Sequence, residues 1–411
     1  MKRILLIDGN YFAMRVLGQL NIGDSSNNLE SNFEVQTFQN SLNASLINLY
    51  ATFNNENQNL VDQVIFAVDG YSWRKEVPPH RPYYIDEVKD KRPVGYKENR
   101  KEKKEESSIN YDNFNLYYSK FVESIKEKVH VFNIKGLEGD DEIMLISNKL
   151  AANKDVELIV FCTDGDLVQT VKNNCLLLRN IRSGECPNGE FVISAGKYTE
   201  IFEKSAKDAF FGNSLDISYY NRLFAICIGN IHGNSKIPRS LNKGISIATP
   251  FKTALIKSIC GDKKDNIFSI LAWKSTTGTM EFKITEKIME KALKVHGYPL
   301  TENVCQKILG DKEILINVML SLREVTKQNH VPLESMGKHL KHNLKMIVLA
   351  KNNLPENYLE DFNKLWDEKE SSILTETFDQ TVLRSMNVTT KDSATDIFEK
   401  SMPDIDSILK A

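Results

Sequence analysis

The chain lacks the marks of several protein classes. Its six cysteines (162, 175, 186, 227, 260 and 305) are scattered and form no CxxC pair. That argues against a zinc ribbon or a disulfide framework and for reduced, mostly buried thiols in a cytoplasmic protein. The seven histidines form no HxH or HExxH pattern and read as structural or surface residues. No apolar run approaches the ~18 residues of a membrane span, so no membrane partner is expected. The opening MKRILLID stops being apolar after Ile7, too soon for a signal peptide. There is no internal repeat. A strong net charge is also missing: 53 Lys or Arg against 55 Asp or Glu leave −2. If nucleic acid is the partner, the basic residues must be segregated locally.

What is present is a chain of 411 residues, 41% apolar and 26% charged, enough for two or three lobes of a globular protein. Short apolar runs at 4–7, 64–68, 130–134 and 157–162 alternate with helical patterns at 35–53, 113–128 and 140–151. Strands of that length separated by helices predict an α/β fold: a mostly parallel twisted sheet with helices on both faces. A long polar segment, 71–109, rich in Lys, Arg, Pro and Tyr, follows the second run. Residues 175–246 hold many Gly, Asn and Pro turns and read as an inserted lobe. A helix is expected over 250–259, with Thr249 as N-cap and Pro250 in its first turn.

The acids sit at informative places. Asp8 ends the first strand and Asp69 follows the second. Glu138, Asp140 and Asp141 follow the third, and Asp164 and Asp166 follow the fourth. A single Asp after a strand is as often a turn residue or helix N-cap. Four strand ends bearing acids are harder to dismiss, because the carboxyl ends of parallel strands share one edge, where ligands bind. Two like charges 4 Å apart repel by about 4 kcal/mol at an effective dielectric of ~20, so such a cluster needs cations. An all-carboxylate set suits Mg²⁺, or Mn²⁺ as a substitute. Two such ions roughly 3.5–4 Å apart are a known arrangement for in-line displacement at phosphorus.

These residues resemble a known family. Leu5-Leu6-Ile7-Asp8-Gly9-Asn10 and Phe66-Ala67-Val68-Asp69 look like the first two strands of the flap endonuclease / 5′-3′ exonuclease family. Tyr96-Lys97-Glu98-Asn99-Arg100 resembles its YKxxR arch signature, and Gly136-Leu137-Glu138-Gly139-Asp140-Asp141 its GxEADD. Thr163-Asp164-Gly165-Asp166 is similar to its (T/S)xDxD, one residue shorter. Gly261-Asp262-Lys263-Lys264-Asp265-Asn266 is similar to GDxxDN, the entry to a helix–three-turn–helix. Within the family the likeness is strongest to the ribonuclease H branch of T-even bacteriophages, whose members clear RNA primers. It covers most of the chain outside 175–250. Gly139 stands where the family has Ala. The Gly-rich hairpin that follows GDxxDN in cellular members is reduced to a late Gly278.

The resemblance implies a PIN-like 5′-nuclease core over 1–174 with an arch at 71–110, an inserted segment at 175–250, a helical DNA-binding lobe over 251–370 and a tail at 371–411. It implies metal ligation by Asp8, Asp69, Glu138, Asp140, Asp141, Asp164, Asp166 and Asp265, with Asp262 close by. Asp166, Asp262 and Asp265 would lean toward the second ion. Lys97 and Arg100 would steady charge at the scissile phosphate, and Tyr96 would stack on an unpaired base. Arg74, Lys75, Arg81, Arg92, Lys263 and Lys264 would meet phosphates. The expected substrates are DNA and RNA–DNA duplexes with 5′ ends or flaps. The expected partners are a single-strand-binding protein and a sliding clamp, and the protein is expected to be a monomer. Two rival readings remain: a catalytically weak nucleic-acid-binding protein of the same fold, and a PIN-type ribonuclease, which would be shorter and lack an arch. The eight Lys or Arg and five acids of 89–106 also fit a solvated charged helix.

Overall fold

The structure is a computed structural model. It describes residues 1–20, 29–55, 58–80, 95–100, 104, 109–180, 189–204, 219–220, 222–224, 244–271 and 284–378. Most of the expected arch, including Arg81 and Arg92, lies outside the described residues. So do Gly278 and most of the tail. The chain forms two compact units: Met1–Tyr71 with Ser107–Ala248 and Glu356–Ala411, and Ser72–Glu106 with Thr249–Pro355.

The first unit is built on a seven-stranded sheet. In chain order its strands are β1 (Lys2–Asp8), β2 (Gln63–Ala67), β3 (His130–Phe132), β4 (Val156–Phe161), β5 (Cys175–Asn180), β6 (Glu190–Ile193) and β7 (Ile245–Ile247). Their spatial order is β3-β2-β1-β4-β5-β6-β7. The first five run parallel. β6 pairs antiparallel to β5, and β7 runs parallel to β6. The order reverses direction at β1, which lies between β2 and β4, so the switch point of this doubly wound sheet falls beside the end of β1. The ends are level: Asp8 pairs with Ala67, Ile7 with Phe161, and Ala67 with Phe132.

Alternation along the strands sorts two buried faces. Leu5, Ile7, Val64, Phe66, Ile159 and Phe161 pack with Phe12, Phe38, Leu42 and Phe121. These last come from α1 (Gly9–Gln19), α2 (Asn32–Phe53) and α3 (Tyr111–Ile125). The intervening Ile4, Leu6, Ile65 and Val160 are equally buried but lie outside that cluster. On their side run α4 (Gly139–Ala151) and, beyond the second unit, α10 (Glu356–Thr375). There Phe132 meets Phe362 at 5.8 Å and Trp366 at 6.0 Å between ring centroids. Truncating either ring to Ala would cost about 3–5 kcal/mol. The fold class expected from the sequence therefore holds.

Three segment boundaries fall elsewhere than expected. Residues 72–106, expected as the arch of the nuclease core, group with the second unit. β5, β6 and β7 come from 175–250 and extend the sheet rather than form a separate lobe. That stretch is fastened to β4 by a buried polar knot. Glu157, fully buried, accepts from the Tyr220 hydroxyl and pairs with Lys197 at 3.2 Å. Residues 356–375, expected to close the helical lobe at 370 and open the tail, belong to the first unit because their apolar stripe packs on Phe132.

In the second unit, α5 (Pro250–Cys260), α6 (Glu286–Lys294), α7 (Glu302–Gly310), α8 (Lys312–Val325) and α9 (Leu333–Ile347) surround Leu255, Ile259, Leu293, Ile308, Leu322 and Leu340. Thr249 makes no side-chain cap on α5. The exposed N–H groups of Phe251 and Lys252 instead donate to Glu302, both at 2.9 Å. A distant carboxylate thus replaces the local cap.

Candidate active site

All seven acids expected at the strand ends lie in the first unit, on the carboxyl edge of the sheet. Asp8 caps α1: its Oδ1 accepts from the Tyr11 N–H at 2.9 Å and its Oδ2 from the Cys162 thiol at 2.8 Å. Asp69 spans two motifs, accepting from the Gly139 N–H at 2.6 Å and from Asn10 Nδ2 at 2.6 Å. Glu138 precedes α4, and Asp141 accepts from its N–H at 3.2 Å. Asp140, Asp141 and Glu142 occupy the first turn, where the helix dipole favours negative charge. Asp164 accepts from the Asp166 N–H at 2.9 Å, and its own N–H donates to Cys162 Sγ at 3.3 Å.

Electrostatics tie these pieces into one cluster. Burial and the charge of Asp164 push the Asp8 carboxyl up, against the opposing bonds from Cys162 and Tyr11. The Cys162 thiol is pushed up by burial and by the charges of Asp8 and Asp140. Glu142 is raised well above the usual carboxylate range by burial, with Asp69 and Asp141 adding to it. Tyr118 bridges these groups, its hydroxyl pKa raised by burial and then by the charges of Asp8, Asp69 and Glu142.

Sequence reasoning passed over two of these groups. Glu142, fully buried, accepts from the Ile134 N–H at 2.6 Å and the Val68 N–H at 3.2 Å. It takes up the Ile134 N–H just past β3 and reinforces the Val68 N–H just past β2, which also donates to Phe132 O at 2.9 Å. Its signal was the unbroken acid run at 140–142. Cys162, 1% exposed, joins Asp8 to the Asp164 backbone. Gly139 also gains a reason: a Cβ there would come within 2.9 Å of Asp69 Oδ1.

The donor set suits a hard dication. It is all oxygen, Asp8 is held partly against its charge, and Asn10 Oδ1 is a buried acceptor without a hydrogen bond. Among the described residues no three His, Cys, Asp or Glu side chains are placed to hold a metal ion as they stand. Mg²⁺ commonly keeps several waters and takes only one or two carboxylates, which this arrangement offers.

In the second unit two further motifs form one object. Residues 96–99 make a turn, not the helix under which Lys97 and Arg100 would share a face, and Lys97 sits at φ +56°. The turn grips the loop after α5. Lys97 N–H donates to Asp265 O at 3.0 Å, Asn99 to Lys263 O at 2.9 Å, and Asn266 to Gly95 O at 2.9 Å. Arg100 pairs with Asp265 at 2.5 Å, and the Tyr96 hydroxyl donates to the same carboxylate at 3.3 Å. Asp262 pairs with Lys257 at 2.7 Å. Burial works to raise its pKa, but Lys257 and Lys264 hold it below the usual range. Gly261, at φ +77°, starts the loop; a Cβ there would lie 2.4 Å from Ile267 O.

Two expected surface contacts are buried. Arg74 is 3% exposed, donates to Met346 O at 2.9 Å and lies over the Trp73 ring. Tyr96 packs with Ile267, Met346 and Ile347. Both are long side chains with apolar bodies, so composition alone did not separate core from surface. Lys75 lies beside them in the same short 3₁₀ turn, Trp73–Lys75. The histidines read as structural or surface include a packed trio, His80 with His339 and His342, at 5.0 and 5.4 Å between ring centroids. His339 also meets Phe268 O at 3.0 Å. The second unit carries 28 Lys or Arg against 18 Asp or Glu, a formal +10. The first carries 25 against 37, a formal −12. The near-neutral total hides this division.

Fold and site together define a doubly wound α/β protein with a carboxylate cluster at its switch point. Solved structures that resemble it include those of the flap endonuclease, or 5′-exonuclease, of bacteriophage T5. One is the T5 protein co-crystallised with metal ions, at 15% identity and a TM-score of 0.45, covering 91% of this chain and 98% of that one. Another is the T5 flap endonuclease in a pseudo-enzyme–product complex with DNA and metal ions, at 14% and 0.45, covering 90% and 100%. A third is the T5 5′-exonuclease with bound zinc, at 16% and 0.44, covering 89% and 99%. No protein-family model matches the chain, and no curated protein matches it. No helix among the described residues is long and apolar enough to cross a membrane.

Proposed function

We propose that this chain is a divalent-metal-dependent 5′ nuclease, hydrolysing phosphodiester bonds near the 5′ ends of DNA or RNA–DNA duplexes during primer or flap removal. The observation that carries the reading is the gathering of seven acids, from the ends of four neighbouring strands, at one sheet edge. Asp8, Glu138 and Asp141 are buried and Asp140, Asp164 and Asp166 half-buried, a concentration of carboxylates that calls for a charge to balance it.

In this reading Asp8, Asp69, Glu138, Asp140, Asp141, Asp164 and Asp166 would hold Mg²⁺, two ions in all, with Mn²⁺ as a substitute. When bound, such ions supply Lewis-acid charge for in-line displacement at phosphorus. The chain's own residues do the rest. Cys162 and the Tyr11 N–H fix the two oxygens of Asp8, while Gly139 and Asn10 fix those of Asp69. Glu142 locks the backbone behind them.

The cationic second unit would bind the strand through its phosphates, chiefly by Lys97, Lys263 and Lys264, with Arg100 steadying charge at the reacting phosphate. Asp262 and Asp265 enter mainly as the acids that shape the Lys263–Lys264 loop, since each is already ion-paired. A sliding clamp and a single-strand-binding protein are the partners this role would call for. The test is cleavage of 5′-labelled flap, nicked and RNA-primed duplexes with Mg²⁺ by the wild type and by Asp164→Asn. Equal rates for the two proteins would end the proposal.

A further inference from the structure

Beneath the acids lies a tyrosine that the proposed chemistry does not use. Tyr118, from α3, is 5% exposed, and its hydroxyl makes no hydrogen bond to any described residue. Its place is set by packing. The ring stacks with Phe114 at 5.8 Å and with Phe121 at 6.4 Å. The oxygen lies against residue 9, where a Cβ would come within 2.3 Å of it. Only a glycine between Asp8 and Asn10 lets the phenol rise that far. Burial, and then the charges of Asp8, Asp69 and Glu142, keep it protonated. A buried hydroxyl without a partner costs stability, and phenylalanine would fill the same space without that cost.

We propose that Tyr118 is a positioning residue of the acid cluster, whose hydroxyl donates to a carboxylate oxygen of Asp8 or Asp69 once the site carries a dication. The inference rests on the metal-dependent reading above. In the metal-free arrangement both oxygens of Asp8 and both of Asp69 already accept hydrogen bonds, from Tyr11, Cys162, Gly139 and Asn10. Turning either carboxylate toward an ion draws an oxygen away from its present donor. The phenol is an uncommitted donor, packed against Gly9 next to Asp8 and acted on by the charges of both acids. It therefore weighs on the loaded state and not on the empty one.

The test is Tyr118→Phe, with Tyr117→Phe as the control. Thermal unfolding in chelator is measured beside calorimetric titration with Mg²⁺ and with Mn²⁺, and KM for a flap substrate is measured at saturating metal. The expected result is an unchanged or higher Tm without metal, about tenfold weaker metal binding, and an unchanged KM. The control should leave all three as in the wild type. Metal affinity equal to wild type would overturn the inference and leave the nuclease reading standing. A lower Tm without metal would also overturn it, because the hydroxyl would then already be bonded. A wild-type protein that bound neither ion would sink both.

Discussion

The two units differ most in charge: a formal −12 in the sheet-bearing unit and +10 in the helical one, within a chain of −2. The first concentrates its acids at the strand ends, where Asp8 and Glu142 are held partly against their charge. The second spreads its cations over helix surfaces and ties its few central acids into ion pairs, Arg100–Asp265 and Lys257–Asp262. An acidic surface repels a polyanion unless metal covers it, whereas a basic one attracts it without help. Under the proposed nuclease reading the contrast amounts to a division between cutting and holding, and several measurements can break it.

The largest effect is expected from the acids. Asp164→Asn or Asp8→Asn should slow single-turnover cleavage about a thousandfold, equivalent to ~4 kcal/mol of barrier, with little change in substrate binding. If a Lys263→Ala, Lys264→Ala double variant slowed the chemical step as much, the division would not hold. Next comes Glu142→Gln. An amide nitrogen in the place of Oε1 would leave the Ile134 N–H facing another donor, whereas the Val68 N–H keeps Phe132 O. That should cost about 1–3 kcal/mol and lower Tm by a few degrees in calorimetry.

Acidity should move the buried carboxyl Glu142 and the buried histidines in opposite directions. Glu142 has a raised folded pKa, so its contribution is full below the ordinary carboxylate range and is lost as pH rises through its folded value. His339 and His342 are lowered to about 3 and about 4, chiefly by burial. Their contribution is full above about 6.5 and is lost as pH falls from there toward 4. Hydrogen exchange without metal, corrected for intrinsic rates, should show α9, which carries His339 and His342, and β3, where burial lowers His130 to about 4, losing protection on going from pH 7 to pH 5 while α4, which carries Glu142, does not. A loss at α4 equal to that at α9 would refute the assignment of these groups. The smallest effect belongs to single cations. Lys263→Ala or Lys264→Ala should weaken binding modestly and reduce the slope of log affinity against log salt by about 1, read from titrations at several ionic strengths.

Much of the fold is legible in the sequence. The strands ending at Asp8, Ala67 and Phe161 and the helices over Asn32–Phe53 and Gly139–Ala151 announce themselves by periodicity and by the polar residues at their ends. The acids could be named because strand ends are readable. The groups that hold them could not. Glu142 matters through N–H groups of Val68 and Ile134, far apart in sequence, and Cys162 reads as one more apolar strand residue until Asp8 is beside it. The YKENR stretch looks helical by spacing, yet its Lys97 adopts a left-handed conformation fixed by a loop more than 160 residues later. β5, β6 and β7 were obscured because turn-rich composition masks short edge strands.

The path of the chain has its own consequence. The sheet-bearing unit is assembled from three separate stretches, and the last, Glu356–Thr375, supplies the rings that close over Phe132. On the ribosome, the edge strand made early must wait for more than two hundred residues before its covering helix emerges. The helical unit, most of it made during that interval, can complete its core first. The acid-bearing half thus matures last, so this nuclease candidate would leave the ribosome able to hold nucleic acid before it is able to cut it.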